Sequence, residues 1–188
     1  ATALLSVAAL ILVAVLRRSA EFDDKFSLAK KPLSIAVAGD SSTGKDTLAQ
    51  AIGQIFPSRT VQVLNGDDYH RFERGHSAWR RLTHLNPAAN DLVRQQRDVS
   101  MVLKRQAVHI REYSHQSGRF TDPRRLLPAD VVIVNGLHSL LLEPVRESFD
   151  ARIFLEMQES LRVALKVERD GTHRAATKDI VLSTIEAR

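Results

Sequence analysis

The sequence predicts an α/β domain: a parallel β-sheet held between two layers of helices, preceded by an apolar N-terminal helix. Three observations point there. Short apolar, β-branched runs alternate with helix-like segments, the pattern of buried parallel strands and their crossovers. The first strand ends in a glycine-rich loop that opens directly into a helix. The chain of 188 residues is 44% hydrophobic and 26% charged, enough for one packed domain and unlike a disordered chain.

The segments run in order. Residues 1–18 open with sixteen uncharged, mostly apolar positions closed by Arg17 and Arg18. At about 1.5 Å per residue the uncharged run reaches roughly 24 Å, somewhat short of a ~30 Å bilayer core. The preferred expectation is a membrane-spanning helix, with the arginines holding the rest of the chain on the cytoplasmic side. A signal-peptide core and a buried packing helix are the alternatives, the latter leaving the protein in the cytoplasm. Residues 19–32 are polar and mixed in charge and read as a linker. The remainder, 33–188, is the α/β domain. The apolar run begins at Ala1 and a helix-like pattern continues to Arg188, so the chain reads as cut at both ends.

Within that domain LSIAVAG, residues 33–39, is the first buried strand. Residues 47–56 form an amphipathic helix, with Leu48, Ala51, Ile52 and Ile55 on one face. Residues 61–64 are a second strand, 91–105 a helix, 131–134 a third strand, 152–156 a fourth and 159–170 a further helix. No repeat or low-complexity segment interrupts them.

Composition bounds the chemistry. The net charge of +5 suits an anionic ligand such as a nucleotide or a phosphorylated sugar. With no cysteine, disulfides, thiolate zinc sites and thiol switches within the chain are excluded.

Gly39-Asp40-Ser41-Ser42-Thr43-Gly44-Lys45 is G-x-x-x-x-G-K between a strand and a helix, the phosphate-binding P-loop in its required context. Glycines let backbone N–H groups turn inward, and the helix N-terminus adds partial positive charge. Gly39 to Lys45, with Asp46 and Thr47, form the expected nucleotide site, and Lys45 is placed to reach the β- and γ-phosphates. The position after the lysine usually carries a Ser or Thr hydroxyl on Mg²⁺. Here it is Asp46, a competent oxygen ligand of opposite character.

The second strand runs into Asn65-Gly66-Asp67-Asp68-Tyr69-His70. A carboxylate at a strand C-terminus in a parallel sheet faces the ligand crevice. Phosphoryl transfer to a hydroxyl needs a group that orients the nucleophile and accepts its proton, and Asp67 is placed for that. Downstream, Lys166, Arg169 and Arg174 gather basic charge that could neutralise a transferring phosphoryl group or simply be a solvated helix face.

These segments resemble the phosphoribulokinase/uridine kinase family of P-loop kinases, most closely its phosphoribulokinase branch. GDDYHRFER resembles the family segment that holds the catalytic aspartate and the His and Arg contacting a sugar phosphate, which implies Asp67, His70 and Arg74. LNPAAND, residues 85–91, is similar to the family's L-D-P-x-A-N-D. Tyr113-Ser114-His115-Gln116-Ser117-Gly118 resembles its Y-x-H-x-x-G hairpin, implying substrate contacts at Tyr113 and His115. VIVNGLH, residues 132–138, is similar to V-I-x-E-G-L-H, and His138 reads equally well as a structural histidine. The stretch from Lys166 to Arg174 resembles K-x-x-R-D-x-x-x-R, where the family's lid begins, implying catalytic or substrate roles for Lys166, Arg169 and Arg174. The family's Glu at the third strand's end helps to hold Mg²⁺; here Asn135 stands in its place, leaving Asp46 and Asn135 as the metal positions.

The resemblance implies an ATP- and Mg²⁺-dependent kinase acting on a small sugar phosphate of the ribulose 5-phosphate type. A uridine or cytidine kinase is one alternative. A nucleotide-binding domain with impaired chemistry on a membrane-associated protein is another. Nucleic acid is not an expected partner, and self-association is left open.

Overall fold

The computed structural model describes residues 31–56, 59–174, 179, 181 and 182. The apolar segment 1–18 and most of the 19–32 linker lie outside these residues. Among the described residues no helix is long and apolar enough to cross a membrane.

Four strands form the central parallel sheet: β1 (Leu33–Gly39), β2 (Val61–Asn65), β7 (Val131–Asn135) and β8 (Ala151–Leu155), in the order β2-β7-β1-β8. β1 and β7 are the inner strands and are buried almost throughout. Because side chains alternate across a strand, each inner strand feeds two cores. On one face Ile35, Val37, Val131 and Ile133 pack against Ala49, Ile52 and Phe56, from or just beyond helix α1 (Lys45–Gln54). On the other, Ala36, Leu64, Val132 and Val134 meet Val99, Val102 and Leu103 of α2 (Leu92–Leu103). Val145 of α3 (Glu143–Arg146) and Phe149 close that second layer. This is the expected three-layer sandwich. Burying each Val or Ile contributes roughly 1.5–3 kcal/mol, so the paired cores hold the sheet register firmly. The long helix α4 (Glu159–Arg174) comes after β8 and runs one turn past its predicted end.

The other sequence boundaries differ from the observed ones by a residue or two, for local reasons. Helix α1 begins at Lys45 because Gly44, with φ +87°, takes the left-handed conformation at its N-cap. Helix α2 begins at Leu92 because the Asp91 carboxylate caps it, accepting from the Arg94 N–H at 3.1 Å. The linker's end is docked, not free: Lys31 Nζ donates to the Ser148 carbonyl at 2.7 Å and to Asp150 at 3.2 Å.

Two small antiparallel sheets sit beside the main one. β3 (Val108–Ile110) pairs with β6 (Arg124–Leu126), and β4 (Tyr113–Ser114) with β5 (Arg119–Phe120). The second is the hairpin expected around Gly118, which adopts φ +72° at its turn.

Register aligns the business end. Val37, Asn135 and Asn65 stand side by side across β1, β7 and β2. Immediately beyond, the chain leaves both β7 and β2 through glycine. A Cβ on Gly136 would lie 2.9 Å from Gly66 Cα and 3.0 Å from Ser139 Oγ. We expect Gly136→Ala to cost about 1–3 kcal/mol through overpacking, read as a lowered Tm. An unchanged Tm would show that the two backbones have room to separate.

Candidate active site

One cleft of about 840 Å³ opens over the C-terminal ends of β2, β7 and β1. One wall is the loop joining β1 to α1. Gly39 has φ +148°, and a Cβ there would meet the Leu155 carbonyl oxygen at 2.5 Å, so only glycine lets the chain turn beneath β8. The turn is held from inside: the Asp40 carbonyl accepts from Thr43 Oγ1 at 2.8 Å and from Lys45 Nζ at 2.6 Å. Ser41, Ser42, Gly44, Lys45, Asp46 and Thr47 line the cleft, while Gly39, Asp40 and Thr43 shape the loop behind them. Burial lowers the Lys45 pKa; Asp46 and Asp67 act against it, Arg169 with it, and Asp40 again against it.

The facing wall is built around Asp67, in a 3₁₀ turn (Gly66–Tyr69) that continues β2. Its two oxygens are held differently. His115 Nε2 lies 2.8 Å from Oδ2, and His70 Nε2 lies 3.6 Å from Oδ1. Burial pushes the Asp67 carboxyl up, but the His115 hydrogen bond and the charges of His70, His115 and His84 together hold it well below the usual carboxylate range. Asp67 is therefore an anion at neutral pH.

The network beneath sets the orientation of His70. Asn90 Nδ2 donates to the carbonyls of His84, at 3.0 Å, and Asn86, at 2.9 Å. Its Oδ1 is left as the acceptor, so His70 Nδ1, 2.7 Å away, is the donor. Nε2 then faces the Asp67 carboxylate. His70 is buried and supports Asp67 from behind; it does not line the main cleft.

The hairpin reaches the cleft because the segment after Asp67 clasps it. The Tyr113 N–H donates to Asp68 at 2.8 Å, Phe120 N–H to Glu73 at 3.0 Å, and Arg74 N–H to the Gly118 carbonyl at 2.8 Å. Arg74 Nη2 donates to the His115 carbonyl at 2.7 Å. Arg74 thus acts on the hairpin and is not among the cleft-lining residues, whereas Tyr113 and His115 are.

The basic helix divides likewise. Arg169 lines the cleft and spans it at the loop, donating to Ser41 Oγ at 3.2 Å and to Asp170 at 3.0 Å. Lys166 is 1% exposed and donates to Asp170 at 2.9 Å, placing it inside the helix packing, away from the cleft wall. Arg174 ends α4, and its side chain lies outside the described residues. Asn135 and Asp46 both line the cleft and touch one another, Nδ2 to Oδ1 at 2.6 Å.

Two residues join the site unforeseen. His84 lines the cleft, stacks on Trp79 with ring centroids 5.3 Å apart and packs 5.4 Å from His70. It directly precedes LNPAAND, but no spacing in the sequence ties it to Asp67. Asp68, beside Asp67, is buried. Burial pushes its carboxyl up to about 6; the Tyr113 N–H opposes this, and Glu112 and Asp67 add to it. His138 lies outside the main cleft, on a chamber of about 20 Å³ shared with Asp67, His84, Asn90 and Gln95.

The coupling of His115 to Asp67 gives a pH prediction. For a reaction that needs the Asp67 anion, turnover would be present above the Asp67 pKa and lost as pH falls through it. His115→Leu removes the hydrogen bond that lowers that pKa and leaves the burial that raises it. The acid limb of the kcat–pH profile therefore moves to higher pH; an unmoved limb would break the coupling.

Comparisons with known proteins bear on the family and the fold. Residues 34–188 match the model of the Phosphoribulokinase / Uridine kinase family. Phosphoribulokinase of Synechocystis sp. is 32% identical over 154 residues, which cover 82% of this chain and 46% of that protein. Uridine kinase of Streptococcus uberis is 27% identical over 157 residues, 81% of this chain and 74% of that protein. This chain spans about half the length of the curated phosphoribulokinases it matches. Among solved structures, phosphoribulokinase from Rhodobacter spheroides superposes with a TM-score of 0.68 at 25% identity, covering 85% of this chain and 63% of that one. D-glycerate 3-kinase from Cryptococcus neoformans shares the fold at a TM-score of 0.53 and 16% identity, over 84% of this chain and 76% of that one. With the family match extending over nearly the whole α/β domain, the chain belongs to the phosphoribulokinase/uridine kinase family.

Proposed function

We propose that this domain is an ATP-dependent kinase that transfers the γ-phosphoryl group to a hydroxyl of a small sugar phosphate, of the ribulose 5-phosphate type. The observation that carries the reading is the opposition, across one cleft, of a P-loop lysine and an ionised strand-end aspartate, with Arg169 reaching over to the loop.

Each group has its own task. Backbone N–H groups of Ser41 to Gly44 and the ammonium of Lys45 receive the nucleotide phosphates. Mg²⁺, when bound, neutralises phosphate charge. Asp46 and Asn135 would hold it, and they fit: Asn135 Oδ1 is buried with no hydrogen-bond partner among the described residues, an acceptor suited to a cation. Asp67 accepts the hydrogen bond of the attacking hydroxyl and takes its proton as the new O–P bond forms and the bond to the ADP leaving group breaks. Arg169 offsets charge on the phosphoryl group in passage.

The acceptor class is argued from charge. His70, His84 and His115 surround Asp67, and Arg169 stands opposite. The cations Lys45 and Arg169 and the imidazoles of His84 and His115, all lining the cleft, suit a phosphorylated acceptor better than a neutral nucleoside. Similarity to uridine kinases makes uridine and cytidine the competitors to test.

ADP release measured over a panel of acceptors tests the reading. We expect kcat/KM for ribulose 5-phosphate, or a close sugar phosphate, to exceed that for uridine and cytidine. A preference for the nucleosides would place the domain with uridine kinases. Transfer to no acceptor, with nucleotide binding intact, would make it a binding domain.

A further inference from the structure

In a P-loop site the residue after the lysine ordinarily offers a hydroxyl to Mg²⁺, and a strand-end carboxylate supplies the charge. In this chain the chemical types are interchanged: the loop offers the carboxylate of Asp46 and the strand offers the amide of Asn135. Two unrelated losses would leave the residues indifferent to one another. Instead they are bonded. Asn135 Nδ2 donates to Asp46 Oδ1 at 2.6 Å, at the in-register row where β7 ends between β1 and β2. Nδ2 also lies 3.5 Å from Asn65 Oδ1, so the amide's donor side faces oxygens of both neighbours.

That assignment decides what remains. With Nδ2 committed to Asp46, the other end of the amide, Oδ1, is an acceptor. It is buried on a residue only 3% exposed, with no hydrogen-bond partner among the described residues. Asp46 is an exposed residue in the first turn of α1, and its second oxygen, Oδ2, is not used in that bond. Both residues line the phosphate end of the cleft. Among the described residues no group of three or more His, Cys, Asp or Glu could cage a metal ion. A site with one carboxylate and one amide oxygen suits a cation that takes its other ligands from phosphates and water, as Mg²⁺ does.

We propose that Asp46 and Asn135 form one inverted metal-holding pair, in which the strand amide orients the loop carboxylate, and the charge that retains Mg²⁺ resides on the P-loop. Asn135 Oδ1 is the second protein oxygen. The proposal rests on the nucleotide-binding reading above. A solely structural reading makes Asp46 a favourable charge at a helix N-terminus and Asn135 its tether; it predicts no link to metal.

The test uses the single variants Asp46→Ser and Asn135→Glu and the double variant, in the full chain. The readouts are calorimetric ADP binding with and without Mg²⁺, Mn²⁺ binding to the ADP complex by electron paramagnetic resonance, and Tm as a check on folding. Asp46→Ser should weaken metal binding to the ADP complex by about tenfold or more. Its metal-free ADP affinity should not fall, since a negative charge beside the phosphates is removed. Asn135→Glu sets two carboxylates where a donor met an acceptor, and should also disturb metal binding. The double variant, with hydroxyl on the loop and carboxylate on the strand, should bind metal better than either single variant, a non-additive rescue. Wild-type metal affinity in Asp46→Ser, or a double variant no better than Asp46→Ser, would overturn the pairing while leaving nucleotide binding in place. Failure of the unaltered chain to bind ADP at all would remove the nucleotide reading, and the pairing with it.

Discussion

The site depends on one packing constraint: the close approach of two backbones just beyond the in-register row Val37, Asn135 and Asn65. Gly66 and Gly136 come so near that neither leaves space for a side chain. Strands β2 and β7 can therefore end level with one another, and the groups beyond them emerge at the same height. Asp67 comes directly after Gly66, Asn135 directly before Gly136, and the P-loop begins two residues beyond Val37. The paired hydrophobic cores fix the register from both faces, so the geometry of the cleft is inherited largely from residues such as Ile35, Val37, Ile133 and Val134 that do not line it.

Electrostatics then gives the two walls different characters. On the loop side the charges are those a polyphosphate would meet: Lys45, Arg169 and the N-terminal end of α1. On the Asp67 side the protein gathers imidazoles around a carboxylate. Partial burial works against the Asp67 charge, and the His115 hydrogen bond with the nearby His70 and His84 more than offsets it. The histidines must themselves be held in position, and a second ring of contacts does this. Asn90 fixes His70. Arg74 and Asp68 hold the hairpin that carries His115. Removing a member of that outer ring should act on Asp67 without touching a ligand.

The sequence was most readable where function imposes a local pattern. The P-loop, the strand runs and Asp67 at a strand end could all be placed from neighbours in the chain, because backbone conformation and period-two burial are local properties. The four central strands and helices α1 and α2 appear within a residue or two of expectation, and α4 runs a turn longer. What could not be read is long-range. Arg74 looks like an anion-binding residue until it is seen donating to the carbonyl of His115, forty-one positions away. Lys166 and Arg169 share a basic segment, yet Asp170 draws Lys166 into the packing while Arg169 meets the loop. His84 joins the site through stacking on Trp79 and proximity to His70, relations that no linear spacing records. The strand pair β3 and β6 was also unforeseen, being short and joined across the whole hairpin between them. The contact between Asp46 and Asn135, eighty-nine positions apart, gives one structural explanation for two departures that the sequence showed only separately.

The proposed division of labour puts phosphoryl transfer at Asp67 and the nucleotide grip at Lys45. The most direct test is Asp67→Asn in the full chain, with ATP affinity and single-turnover phosphoryl transfer measured on the same preparation. An orienting base acts mainly in the transition state, so ATP affinity should stay near the unaltered value while transfer falls by about two to four orders of magnitude. Transfer at an undiminished rate would move the chemistry away from Asp67.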